Sequence, residues 1–297
     1  MITVRVADSD DDLDAWRRVF MVVLPNERAA TIEEMRGSIR EGLLRLLATS
    51  DGVVVGSGVA ARSDFPRAAS VAPRVLPEFR RRGAGTALLR VLARHVESLS
   101  DVDAVNAHVD DPDSRAFAEK FGFAEVNRQV EQVRAIGVEP PPRVPEGIEI
   151  VSVAQRPEAW PAAYAAVGVQ AFEDMALDRP IFATLEQWNQ EWIADPEAMF
   201  VAYAGGEVIG CAGLMLDADQ PDRAENALTA VRRDWRGRGV AATLKRTTLA
   251  WAADHGLREV YTWTQRGNTD MRRLNQHLGY VTRAESIHMR APLPLAV

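Results

Sequence analysis

Two short stretches of this 297-residue chain bring arginine and glycine together in the same order. The first runs Arg80, Arg81, Arg82, Gly83, Ala84, Gly85. The second runs Arg233, Asp234, Trp235, Arg236, Gly237, Arg238, Gly239, Val240, Ala241. Each follows an apolar run that ends in valine (Val75, Val231) and precedes a run with helical spacing. The start of a helix carries unpaired N–H groups and the positive end of the dipole, so it cradles anions. Glycines let the backbone bend close to the anion, and arginines add charge-assisted hydrogen bonds. A diphosphate-sized ligand suits such a loop. Neither stretch has G-x-G-x-x-G after its strand, and G-x-x-x-x-G-K-(S/T) occurs nowhere, which argues against dinucleotide-binding and P-loop readings.

Loops of this kind need a strand before them and a helix behind them. In the second half, Met199 to Ala204 and Glu207 to Leu216 read as a hairpin across Gly205-Gly206. Ala227 to Val231 reads as a strand, Val240 to His255 as a helix ended by Gly256, Glu259 to Thr264 as a strand, and Thr269 to Leu278 as a helix. The first half repeats the order: Leu43 to Ala48, an Asp51-Gly52 turn, Val53 to Ala60, Ala69 to Val75, a helix from Ala84 to Ser98, and Ala104 to Val109. The upstream segments, Asp11 to Leu47 and Pro157 to Ile193, read as mostly helical. The two loops stand 156 positions apart (Val75 to Val231), and Phe121-Gly122-Phe123 matches Leu278-Gly279-Tyr280 at 157. Two motifs holding nearly one offset identify a duplication. The proline-rich stretch 138–147 divides the halves, giving domains at 1–137 and 148–297.

The formal charge is −7, with 47% hydrophobic and 26% charged residues, the profile of a globular chain. So acidic a chain is unsuited to general nucleic-acid binding, which rests on neutralising phosphates. No apolar run reaches the ~18 residues of a spanning helix, and the opening Met1 to Asp8 lacks the pattern of a signal peptide. A cytoplasmic monomer or homodimer, with neither membrane nor nucleic acid as partner, is expected. The five histidines are scattered, and no metal site is indicated.

The spacing Arg80–Gly83–Gly85 and Arg236–Gly239–Ala241, each after a strand, resembles the (Q/R)-x-x-G-x-(G/A) signature of the GNAT acyltransferase superfamily. The resemblance covers most of both halves. It implies an α/β (α+β) chain of two tandem domains, each a mixed, mostly antiparallel sheet flanked by helices and splayed between its fourth and fifth strands. It implies acetyl-CoA as cofactor, held in the splay. Its diphosphate would rest on Arg80, Arg81, Arg82, Gly83, Ala84 and Gly85 in one half, and on Arg233, Arg236, Gly237, Arg238, Gly239, Val240 and Ala241 in the other. Val75 and Val231 match the residue whose backbone meets the pantetheine, and Asn268 matches an asparagine that contacts the cofactor.

The resemblance also implies direct transfer to an amine of a small molecule, without an acyl-enzyme. Cys211, inside an apolar strand, reads accordingly as core. Backbone N–H near Val231 is the expected oxyanion donor. Glu225, just before the fourth strand, is the first candidate base, ahead of Glu173, Asp174 and His288. The tyrosine that many relatives use as general acid is missing: Asn275 and Ala118 hold the matching positions. Asp111 replaces Asn268 in the first half, and six of seven tryptophans (Trp160, Trp188, Trp192, Trp235, Trp251, Trp263) lie in the second. The second half is therefore expected to be the catalytic one, with Glu173, Trp188 and Trp263 at its acceptor site. A redirected acyl-CoA reaction and a non-catalytic acyl-CoA sensor both stay open on the sequence alone.

Overall fold

The computed structural model describes residues 1–63, 65–175, 183–191 and 195–297. Trp192 and Ile193 lie outside the described residues. Two compact units emerge, one of Met1–Asn127 with Ser286–Val297, the other of Arg128–Glu285.

The first unit holds β1 (Ile2–Val6), α1 (Asp10–Val23), α2 (Ile32–Gly37), β2 (Leu44–Ser50), β3 (Val53–Arg62), β4 (Ala68–Val75), α3 (Ala84–Glu97), β5 (Ala104–Val109) and α4 (Pro112–Lys120). Next comes β6 (Ala124–Ala135), which mostly belongs to the second unit. The second unit continues with β7 (Ile148–Ser152), α5 (Ala159–Ala163), a π-turn at Tyr164–Gly168, α6 (Val169–Glu173), α7 (Leu185–Glu191), β8 (Met199–Ala204), β9 (Glu207–Leu216), β10 (Arg223–Val231), α8 (Val240–Asp254), β11 (Glu259–Gln265) and α9 (Thr269–His277). Last is β12 (Val281–Pro292), whose end returns to the first unit.

In each unit four strands pair antiparallel in order, and the fourth meets the fifth in parallel. The parallel rungs number three in both units: Ala68–Ser70 with Ala104–Asn106, and Arg223–Glu225 with Glu259–Tyr261. Beyond them the fourth and fifth strands part. The fifth strand's other edge is covered antiparallel, β5 by Ile287–Pro292 of β12 and β11 by Gln129–Ala135 of β6. Each sheet thus takes its final strand from the other half of the sequence. The units differ in this way from the linear 1–137 and 148–297 division, because an exchange of equivalent strands leaves the repeat spacing unchanged. Residues 136–147 form neither helix nor strand.

Local signals account for the elements. Ser9 caps α1 by accepting the Asp12 N–H at 3.2 Å, and Asp10, Asp11 and Asp12 face the positive helix end. Thr31 and Glu34 cap α2 reciprocally. The expected helical stretch from Asp11 to Leu47 ends at Gly37, because Leu44 to Leu47 pair with β3. The expected strand Ala227–Val231 begins earlier, at Arg223. Its polar residues Arg223 and Asn226 are buried by partners no local pattern reveals: Arg223 Nε donates to Glu259 at 2.7 Å, and Asn226 Nδ2 to Gly213 O at 3.0 Å.

The second sheet has a core on each face. On one, α8 sends Val240, Leu244 and Leu249 against Val231, Leu214 and Ala224. On the other, Trp160 and Trp188 stack at 4.5 Å, each donating its indole N–H to the other's carbonyl at 3.2 and 3.1 Å. A stacked pair of this kind contributes about 1 kcal/mol beyond its burial. Among the described residues no helix is long and apolar enough to cross a membrane.

Candidate active site

The parting of β10 from β11 opens a cleft of about 660 Å³ in the second unit. It extends from the glycine loop at its mouth, past Val231, Trp263 and Asn268, to Asn226, Lys245 and Thr262. Three features of the chain produce it: the ladder that stops after three rungs, a bulge in β10, and the loop ahead of α8.

At the closed end, Arg223 bonds Glu259 at 2.7 Å and Glu131 at 3.4 Å, and its guanidinium lies over the Tyr261 ring at 4.0 Å. Arg283 completes the cluster, donating to Glu259 at 2.9 Å and to Glu131 at 2.7 Å. Breaking one partner of a buried pair costs about 3–5 kcal/mol, so this end of the cleft is held shut. One residue beyond Glu225 the register of β10 against β9 shifts, from Asn226 opposite Leu214 to Leu228 opposite Gly213. The extra residue reverses the alternation. Ala224 and Asn226 face α8, whereas Leu228 and Ala230 face the α5–α7 layer. Glu225, between Ala224 and Asn226, therefore turns toward the α5–α7 face. It occupies the last parallel rung and is not among the cleft-lining residues.

Farther along β10 the backbone itself faces the parting. The Arg232 N–H bonds Ile209 O across β9, and an antiparallel ladder alternates. The N–H groups of Val231 and Thr229 consequently point away from β9, toward β11. The Val231 carbonyl accepts Arg236 Nε at 3.0 Å. The first unit repeats this tie with Arg80 Nε and Val75 O at 3.3 Å. In both, the arginine of the motif braces the loop against the strand it leaves.

The loop of the second unit turns through Gly237 (φ +73°) and Gly239 (φ +82°), and Gly239 is the N-cap of α8 without a side-chain cap. The first intrahelical bond is Thr243 N–H to Gly239 O, which leaves the amides of Val240, Ala241 and Ala242 without helical acceptors. A Cβ at either glycine would enter open space. In the first unit Gly83 (φ +90°) matches Gly239, but Arg81 (φ +62°) holds the left-handed position of Gly237. A non-glycine there costs roughly 1–2 kcal/mol.

Around the mouth, Asp174 accepts Arg233 Nη2 at 2.6 Å and Arg236 Nη2 at 2.5 Å, and Glu173 accepts Arg233 Nη2 at 3.0 Å. The hydrogen bond from Arg233, then that from Arg236, holds the Asp174 carboxyl below the usual carboxylate range. Arg238 lies over the Trp235 ring at 4.8 Å. Asn268 lines the cleft and caps α9 by accepting the Met271 N–H at 3.2 Å. Asp111 caps α4 in the same way, bonding Asp113 and Ser114. Of the expected acceptor residues, Trp263 lines the cleft, Glu173 is exposed in the ion cluster, and Trp188 is fully buried in the stacked core. His288 stacks on His108 at 4.9 Å in the first unit.

Asn226, Lys245 and Thr262 escape a reading of motifs. They form the floor: Lys245 Nζ donates to Asn226 Oδ1, and Thr262 Oγ1 donates to Asn226 O at 3.2 Å. The missed signal is a lysine on the inward face of α8, beside Leu244 and Thr248. Cys211 is fully buried, and burial pushes its thiol up to about 12. In the first unit the register position of Ala230 belongs to Arg74, which is part-buried with its guanidinium over Phe20 at 4.8 Å and Trp16 at 5.3 Å. An arginine and two rings fill there the space that Ala230 leaves open.

Comparison with known proteins bears on the same two loops. The sequence profile of the acetyltransferase (GNAT) family matches residues 11–123 and again 168–280. The mycothiol acetyltransferase of Thermomonospora curvata is 29% identical over 266 residues, covering 86% of each chain. That of Saccharomonospora viridis is 29% identical over 222 residues, covering 70% of this chain and 69% of the relative. Among solved structures, a GCN5-related N-acetyltransferase from Sphaerobacter thermophilus has a TM-score of 0.78 at 21% identity, covering 98% of this chain and 95% of that one. A tandem GNAT protein from the clavulanic acid biosynthesis pathway has a TM-score of 0.76 at 21% identity, covering 98% of both chains. At these identities the two structures speak for the fold.

Proposed function

The chain belongs to the acetyltransferase (GNAT) family and is an acyltransferase, and from that premise we propose that its second unit moves an acetyl group from acetyl-CoA to the amine of a small molecule by direct attack. The observation that carries this reading is one continuous cleft joining the glycine cradle to the parted strands. The residues present fit the cofactor. The amides of Val240, Ala241 and Ala242 and the positively charged Arg238 suit its diphosphate, and the edge of β10 at Thr229 and Val231 suits its pantetheine amides. When bound, acetyl-CoA supplies a thioester carbonyl as electrophile. The Val231 N–H, aimed into the parting, is the expected donor to oxygen charge developing there; one such donor is worth roughly 10²–10³ in rate.

Glu225 is proposed as the base that accepts a proton from the attacking ammonium, directly or through water. Its place on the α5–α7 face, at the end of the closed rungs, supports that role. Direct attack is favoured because Cys211 is buried and its thiolate disfavoured. The first unit is proposed to be structural or a weaker cofactor binder, since Arg74 fills the position of Ala230. The name of the curated relatives suggests acceptors of the mycothiol kind, so these belong in the panel beside simple amines.

The test is release of free thiol from acetyl-CoA across that panel. Glu225→Gln should lower turnover ~10²-fold with CoA affinity retained, and full activity with an unchanged pH profile would remove Glu225 from the mechanism. Changing Arg236 and Gly239 should abolish turnover while changing Arg80 and Gly83 spares it. Equal losses would defeat the assignment to the second unit.

A further inference from the structure

Of the 35 basic Lys and Arg residues in this chain, 33 are arginines and two are lysines, Lys120 and Lys245. Lys120 is exposed at the end of α4. Lys245 is 1% exposed and lines the floor of the cleft. Arginine keeps its proton at every physiological pH, whereas a buried lysine can release one. A chain that uses arginine almost everywhere else therefore carries, at the base of its cleft, the cation able to act as an acid.

The surroundings of Lys245 make the proton mobile and aim it. Nζ donates to Asn226 Oδ1, beside the bulge where β10 leaves β11, and lies 5.1 Å from the centre of the Tyr280 ring. Asn226 is fixed in turn, since its Nδ2 donates to Gly213 O at 3.0 Å and to Leu228 O at 3.3 Å. Among the described residues no carboxylate compensates the charge. The strands against α8 turn Phe200, Ala202, Ala212 and Leu214 toward it, and the short turn before β8 adds Ala198. Tyr280 is the titratable group beside it, and burial pushes that phenol up, so it stays neutral. Asp174, Arg236 and Asp270 line the same cleft. Desolvation alone pushes the Lys245 ammonium down to about 7.

We infer that Lys245 is a catalytic residue, the proton donor to the departing thiolate, in place of the phenol whose position Asn275 holds. The inference rests on the acyl-CoA reading above. As the acceptor nitrogen forms its bond to the acyl carbon, the C–S bond breaks and its electron pair goes to sulfur. The Nζ–H proton passes to that sulfur and leaves Lys245 neutral. The proton lost by the acceptor goes to the base on the opposite face, and solvent restores the ammonium through the cleft. Asn275 serves the fold, its Nδ2 bonded to Gln132 Oε1 at 3.0 Å.

Two lysines make the test direct. Protein labelled with 13C at lysine Cε shows two signals, and Lys245→Met identifies the buried one. In the free protein that signal should titrate near pH 7. CoA should move it and its midpoint, whereas desulfo-CoA, which lacks only the sulfur, should bind and leave it in place. In turnover, Lys245→Met should lose ~10²-fold in kcat with CoA affinity within about threefold. Equal shifts from CoA and desulfo-CoA, or no shift from either bound ligand, would overturn the proposal while leaving the acyl-CoA reading standing. Failure of CoA to bind in calorimetry would bring down that reading and this proposal together.

Discussion

Replacing Lys245 by methionine should make the second unit more stable at neutral and acid pH and less so at high pH. Methionine keeps the methylene packing and removes the charge. In the unfolded chain the ammonium has its ordinary value of 10.5, and in the folded chain about 7. Below pH 7 both states are protonated and folding bears the full cost of burying the charge. Between 7 and 10.5 the unfolded state binds more protons, so wild-type stability rises with pH. At 1.36 kcal/mol per unit the full swing is about 5 kcal/mol, as a ceiling. Methionine leaves Asn226 Oδ1 without its donor, at a cost of about 1–3 kcal/mol. The variant should then be about 2–4 kcal/mol more stable than wild type below pH 7, with the difference reversing in sign at about pH 9. The assay is urea unfolding at pH 6, 7, 8.5 and 9.5, followed by tryptophan fluorescence, since six of the seven tryptophans lie in residues 128–285. A difference that stays constant from pH 6 to 9.5 would refute the argument that Lys245 is held in a desolvated, uncompensated site.

Three further outcomes are expected. Gly239→Ala forces φ +82° on a residue with a Cβ, which then projects into the open cradle. It should weaken CoA binding by more than tenfold in calorimetry, whereas Gly83→Ala should leave turnover within twofold. Asp174→Asn removes an anion from the mouth and frees Arg233 and Arg236. CoA should bind several-fold tighter at low salt, and the gain should shrink as salt screens the site. Cys211 should resist iodoacetamide in the native protein below pH 9, and Cys211→Ala should retain turnover, because the thiol is buried and pushed up to about 12. Modification on folding timescales, or loss of turnover in the variant, would reopen the question of an acyl-enzyme.

What a reader of the sequence could see was local. The hairpin at Gly205-Gly206 pairs Ala204 with Glu207 as its turn residues require. The helix expected from Val240 to His255 runs Val240–Asp254, since glycine marks both of its ends. Arg236, Gly237 and Gly239 come together because they are neighbours in the chain. Asn268 could be singled out, and its capping bond spans only three residues. Polar residues whose partners are distant were harder. Arg223 reads as loop until Glu131, 92 positions away, is seen to share its buried cluster.

The sequence by itself determined the two anion-cradling loops, their duplication, and the strand–loop–helix order around them, because backbone hydrogen bonding, glycine's freedom and helix dipoles act over a few residues. Only the tertiary structure decided which strand closes each sheet, where β10 leaves β11, that Arg74 fills the site Ala230 opens, and that one of two lysines lies beneath the cleft. Those outcomes depend on which side chains lose water together. Desolvation is a property of the packed neighbourhood, set by residues far apart along the chain.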